Sequence, residues 1–125
     1  VTRTVLYIED NADNVFLVEC ILRRRPDLEL AHAGSGGEGL RLALEKLPAV
    51  ILLDRRLPDM LGEDVLAQLK ATDSTAAIPV VMLSGDDPAD HAAAVMAGGA
   101  ADFLAKPFQV DRFLALVDRL SSAGP

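Results

Sequence analysis

Short apolar runs that do not alternate with polar residues constrain this chain more than any other feature. Val5–Ile8, Val50–Leu53 and Ile78–Leu83 are rich in Val, Ile and Leu along most of their length. A strand with one wet face alternates apolar and polar residues, so uninterrupted runs belong to strands covered on both faces. Leu28–Ala31 and Ala100–Leu104 supply two further candidate strands. Longer amphipathic stretches separate the runs. Residues Asp13–Arg25 align Val15, Val18, Ile21 and Leu22 on one stripe, and Gly62–Thr72 aligns Val65, Leu66 and Leu69. Ser35 followed by Glu38 has capping-box spacing and opens a helix running to about Lys46. Asp87-Pro88 forms a cap and first turn for a helix that Gly98-Gly99 ends near Ala97. The last helix carries Val110, Phe113, Leu114, Val117 and Leu120 at three-and-four spacing. Strand and helix alternating five times predict an α/β fold, a doubly wound (βα)5 parallel sheet.

At 125 residues the chain has the size of one domain, expected over residues 1–125 with a core from about 4 to 120 and a frayed tail at Ser121–Pro125. The first residue is Val, which suggests a chain processed or cut from a longer one. A formal charge of −7 argues against direct nucleic-acid binding, which requires a basic footprint. No apolar run approaches the ~18 residues of a membrane span, and no signal peptide is evident. The lone Cys20 excludes an internal disulfide, fits a reducing cytoplasm, and falls on a helical apolar pattern as a small buried hydrophobe.

Polar residues recur where the runs end. Glu9 and Asp10 follow the first, Asp54 the third, Ser84 and Gly85 the fourth, and Lys106 and Pro107 the fifth. In an open parallel sheet these are carboxyl ends of strands, where ligands bind. Three carboxylates on one rim raise one another's pKa unless a cation joins them. Mg2+ suits such a set, because it takes a few carboxylates, retained waters and a phosphoryl oxygen. Lys106 then serves as a point charge for a phosphate, Ser84 as a hydrogen-bond donor, and Asp54 as an aspartyl-phosphate nucleophile. Taken singly, each has a plainer reading as a helix cap, a solvated charge or a turn residue. His32 and His91 lack metal-ligand spacing and read as surface histidines, and Asp59, Glu63, Asp64, Asp86, Asp87 and Asp90 read as acids near helix starts.

With these residues in place, the sequence resembles the receiver domain of bacterial response regulators over about residues 4–120. The likeness lies in Val5-Leu6-Tyr7-Ile8-Glu9-Asp10-Asn11, Ile51-Leu52-Leu53-Asp54 and Leu57-Pro58-Asp59-Met60-Leu61-Gly62, then in Met82-Leu83-Ser84-Gly85 and Gly99-Ala100-Ala101-Asp102-Phe103-Leu104-Ala105-Lys106-Pro107-Phe108. The resemblance implies a flavodoxin-like sheet of order 2-1-3-4-5. It implies Mg2+ bound by Asp10, Asp54 and the backbone carbonyl of Arg56, with Glu9 helping through a water. Asp54 is then the phosphoacceptor, and the partner a histidine kinase or phosphotransfer protein. It further implies a switch in which Ser84 moves and the ring of Phe103 turns inward, and a cis Lys106-Pro107 bond. Such a domain signals and is not itself an enzyme, and an attached kinase or output domain is expected as readily as a stand-alone receiver. Glu9 stands where the family more often has Asp, Phe103 where it more often has Tyr, and Arg55-Arg56 where an apolar pair is commoner.

Other doubly wound folds fit less well. A flavodoxin-type phosphate loop is rich in hydroxyls and glycine, whereas Glu9-Asp10-Asn11-Ala12-Asp13 would repel a phosphate. A haloacid-dehalogenase phosphatase requires a second Asp two positions after its nucleophile, and Arg56 stands there. The alternative is a pseudo-receiver, an interaction module independent of phosphorylation. Arg56 and Asp86 are expected to pair across the mouth of the site.

Overall fold

The computed structural model describes residues 2–85 and 88–122, the side chains of 88–90 aside. Strand and helix alternate throughout: β1 (Arg3–Ile8), α1 (Ala12–Leu22), β2 (Leu28–Ala33), α2 (Gly36–Lys46), β3 (Val50–Asp54), α3 (Gly62–Ala71), β4 (Val80–Ser84), α4 (Pro88–Ala97), β5 (Asp102–Ala105) and α5 (Val110–Ser121). The five strands form one sheet of order β2-β1-β3-β4-β5. Every pairing is parallel, as the unalternated runs require.

Those runs are apolar because both faces of the sheet are buried. On one face Val5, Tyr7, Leu52, Val81 and Leu83 pack with Val18 of α1 and Phe113 and Val117 of α5. On the other, Leu6, Ile8, Ile51, Leu53 and Met82 pack with Ala43 of α2, Val65 and Leu66 of α3 and Val95 of α4. Successive residues of β3 and β4 serve opposite cores. Each buried branched side chain contributes roughly 1.5–3 kcal/mol of transfer free energy.

Local chemistry sets the boundaries. Pro79 lacks an N–H, so β4 opens at Val80 rather than Ile78, while the carbonyl of Pro79 still accepts from Ile51 N–H at 3.0 Å. β2 runs two residues past its apolar run because His32 and Ala33 pair with Tyr7 and Ile8. β5 begins at Asp102, two residues later than the run. Ser35 caps α2 by accepting from Glu38 N–H at 3.2 Å, and Glu38 Oε1 reaches back one residue further than in a standard capping box, to Gly34 N–H at 3.1 Å. Gly99 follows α4 with φ +104, a left-handed conformation that favours glycine. Two expectations are corrected. Ser121 is the buried last residue of α5 and not part of a frayed tail, because its hydroxyl reaches the carbonyl of Asp118. Cys20 is only half-buried, lying beside the Val15–Val18–Leu22 stripe. The Asp87 cap lies outside the described residues, as does the tail beyond Ser122.

Candidate functional site

Register places the polar residues together. Ile8 pairs with Leu53, Asp54 with Leu83, and Ser84 with Ala105, so the residues at or just past these ends share one rim. Asp54 closes β3, and its side chain retains 13% of its exposure. Lys106 Nζ lies 2.9 Å from Asp54 Oδ1 and 3.1 Å from Glu9 Oε1. The Lys106-Pro107 bond beside it is cis. Carboxylate oxygens of Glu9, Asp10 and Asp54 all lie within 4.8 Å of one another.

The three acids differ in surroundings. Asp10 is exposed. Glu9 is buried at 1% exposure, with Oε1 held by Lys106 and by the side-chain amide of Asn14 from the first turns of α1. Its Oε2 is buried without a hydrogen-bond partner, which is costly for a carboxylate oxygen. Burial, and then the neighbouring Glu9 carboxylate, push the Asp54 pKa from 3.8 up to about 6, although Lys106 opposes them. Burial also works against the Lys106 charge, yet Asp54 and Glu9 outweigh it and hold the ammonium pKa above the usual lysine value. Under the site, burial and the charges of Glu9 and Asp54 drive the Tyr7 phenol far above its ordinary pKa. The pocket is thus anionic, and one lysine neutralises it incompletely.

The other candidates occupy the same rim. Ser84 is buried at 2% exposure, and its carbonyl accepts from Lys106 N–H at 2.7 Å. Phe103 is buried in the α2–α3–α4 core and borders a cavity of about 600 Å³ between α4 and α5 that Met96, Phe108 and Arg112 also line. Arg56 is the second residue of the β3–α3 loop and is exposed, and its backbone bridges to Leu61. Asp86 lies outside the described residues, so the expected Arg56–Asp86 pair does too.

Four features escape sequence reading. Asn14 grips Glu9, yet nothing in the first turn of a helix distinguishes it from a solvated polar residue. Arg55 and Arg56 look alike in sequence, but Arg55 is 9% exposed and pairs with Glu63 at 3.0 Å. Asp59 precedes α3 but accepts two N–H groups from the start of α2. His32 is exposed at the end of β2, where its Nε2 lies 2.7 Å from the Glu9 carbonyl.

The family model of the response regulator receiver domain matches residues 5–118. The transcriptional regulatory protein PrrA of Mycobacterium bovis is 36% identical over 93% of this chain, which spans 48% of that protein. Histidine kinase P4 of Formosa agariphila is 29% identical over 88% of the chain, and there the match spans only 8% of the relative. Among solved structures, the receiver domain of sensor histidine kinase PA1611 from Pseudomonas aeruginosa, described with a magnesium ion coordinated in its active-site cleft, superposes with a TM-score of 0.87 at 23% identity, covering 98% of this chain and 100% of that one. That likeness concerns the fold. The chain belongs to the response regulator receiver domain family, the signalling domains of two-component systems. Among the described residues, no helix is long and apolar enough to cross a membrane.

Proposed function

We propose that Asp54 accepts a phosphoryl group from a phosphohistidine of a kinase or phosphotransfer partner. The observation that carries this reading is the Asp54 carboxylate at the end of β3, 2.9 Å from the Lys106 ammonium with two further acids within 4.8 Å. An oxygen of ionised Asp54 attacks phosphorus, the P–N bond breaks, and the departing imidazole nitrogen keeps the bonding pair and takes up a proton. Little covalent chemistry is asked of the protein. Its part is alignment and charge compensation. Lys106, already engaged with Asp54 and Glu9, follows the negative charge onto the phosphoryl oxygens. Ser84 is close enough in the rim to be drawn in as a hydroxyl donor, and Phe103 repacks behind it into space next to the α4–α5 cavity.

The donor set suits a hard divalent cation, since every donor is oxygen and Glu9 Oε2 stands buried without a partner. Asp10, Asp54 and the Arg56 carbonyl would hold Mg2+, with Glu9 alongside. When bound, the ion supplies charge neutralisation for the phosphoryl oxygens. The remodelled surface then signals to an attached or separate output or kinase domain, and release of phosphate to water resets it. The whole of residues 1–125 acts as one receiver in this reading, in the cytoplasm where its kinase partner presents phosphohistidine.

Incubation with Mg2+ and a small acyl phosphate should add one base-labile phosphoryl group by intact-mass spectrometry, and Asp54→Asn should abolish it. An adduct that persists on Asp54→Asn places the acceptor elsewhere. No adduct at saturating donor leaves an interaction module that does not use phosphate.

A further inference from the structure

We propose that Asp59 is a positioning residue for the metal-binding backbone, fastening the β3–α3 loop that presents the Arg56 carbonyl onto the amino end of α2. The Gly36 N–H donates to Asp59 Oδ1 at 2.8 Å and the Gly37 N–H to Oδ2 at 2.9 Å. The first N–H groups of a helix have no partner within it and sit at the positive end of its dipole, so a carboxylate there is held by geometry and by charge. These backbone hydrogen bonds keep the Asp59 pKa below the ordinary aspartate value. The residue is therefore ionised throughout the neutral range.

Met60 fastens the same loop a second time. A Cβ on Gly36 would collide with Met60 Cγ and Sδ, so the loop rests directly on the α2 backbone. Within the loop, Leu57 N–H donates to the Met60 carbonyl at 3.2 Å and Gly62 N–H to the Arg55 carbonyl at 2.6 Å, while Arg56 bridges to Leu61. The Arg56 backbone is thus held between the end of β3 and a loop whose tip is bound to another helix. Pro58 and Asp59 are themselves exposed, while Leu57 and Met60 on either side pack partly buried against the core. Without the Asp59 clasp the tip is held by Leu57 and Met60 alone, and a cation must order what that packing leaves loose, which lowers affinity.

This inference rests on the reading that Arg56 and the three acids hold Mg2+, and the test separates the two. The intact chain is titrated with Mg2+ while its melting temperature is followed, which gives both metal-free stability and Kd. Asp59→Ala should raise Kd about five- to tenfold, the cost of ordering about one residue. Asp59→Asn keeps one acceptor oxygen and should fall between that variant and wild type. Gly36→Ala leaves Asp59 intact but displaces Met60, and should also weaken Mg2+ binding. The losses should persist at high salt, where a long-range effect of the Asp59 charge is screened. Asp59→Ala that melts lower without metal but keeps the wild-type Kd would reduce Asp59 to a cap for α2 and overturn the proposal, as would a loss that salt erases. A wild-type protein indifferent to Mg2+ would sink the underlying metal reading instead.

Discussion

The two ends of the sheet are built on opposite electrostatic terms. At the amino end, Arg3, Asp27, Arg25 and Asp118 keep part of their exposure and, like Lys70, are hydrogen-bonded. Arg3 meets Asp27 at 2.7 Å and the Ser121 carbonyl at 3.0 Å, and Arg25 grips both oxygens of Asp118 with bonds of 2.8 to 3.0 Å. Lys70 donates to the carbonyls of Ala76 and Ile78 in the α3–β4 connection. Hydrogen bonding to Arg3 holds the Asp27 pKa below the aspartate range. At the carboxyl end, Glu9 and Asp54 are withdrawn from water beside one lysine, Glu9 Oε2 has no partner, and the Asp54 pKa moves the other way. One rim satisfies its charges, and the other holds a surplus of negative charge that a cation can relieve. The strain therefore lies where chemistry is expected.

The largest test of this contrast is to remove the Lys106 ammonium, which bonds both Glu9 and Asp54. Lys106→Met leaves the buried Glu9 and the half-buried Asp54 carboxylates facing each other, and breaking a buried pair from one side costs up to roughly 3–5 kcal/mol. Urea unfolding in the presence of a chelator should show a loss of this order at pH 7. Most of it should return at pH 5, where Asp54 is protonated, or on adding Mg2+. A loss that neither treatment recovers would mean that Lys106 acts by packing alone.

Asp54 gives the next effect, with the opposite sign. Its folded pKa of about 6 lies above the ordinary 3.8, so the ionised form is the one that folding penalises. The penalty is absent below the unfolded value and complete above about 6. Asp54→Asn should therefore stabilise the metal-free protein by on the order of 1–3 kcal/mol at pH 7, with the gain vanishing near pH 4. The same variant should lose most of the Mg2+-induced rise in melting temperature. Equal stability of variant and wild type across this range would show that the carboxyl end carries no surplus.

Metal affinity follows from the same titration. Binding a cation at Asp54 expels its proton, so Kd should be flat above pH 7 and climb by up to about tenfold per unit as pH falls below 6. A Kd unchanged between pH 7 and 5, read by calorimetry, would place the ion away from Asp54.

What sequence reading captures here, and what it misses, follows the same division. The fold is legible because doubly covered strands force unalternated runs, and those runs locate Glu9, Asp10, Asp54, Ser84 and Lys106 by where they stop. The crowding of the acids is legible too, once parallel pairing is granted. Contacts that cross between elements are not. Asp59 reads as an acid before α3, yet it serves α2, because only the packed loop brings the two within 2.9 Å. Arg55 and Arg56 are adjacent and identical in type, and the turn out of β3 alone decides that one is buried against Glu63 and the other exposed. Asn14 becomes informative only after α1 folds its side chain over Glu9.

The smallest expected effect belongs to the amino end. Arg25 and Asp118 join the α1–β2 turn to the end of α5 through a forked contact, the strongest geometry for an ion pair. Their side chains keep 33% and 43% of their exposure, so water already solvates much of each charge. Exposed pairs of this kind contribute little, and salt screens what remains. Arg25→Gln should lower the melting temperature by a few degrees at most, the decrement should shrink at high salt, and Mg2+ should raise the melting temperature of variant and wild type alike. The two ends are separated by the length of the strands, so their free energies should add. In Arg25→Gln/Asp54→Asn the two shifts should therefore sum. A double variant that departs from the sum would mean that charge at one end of the sheet is felt at the other, and the two rims would have to be treated as one electrostatic unit.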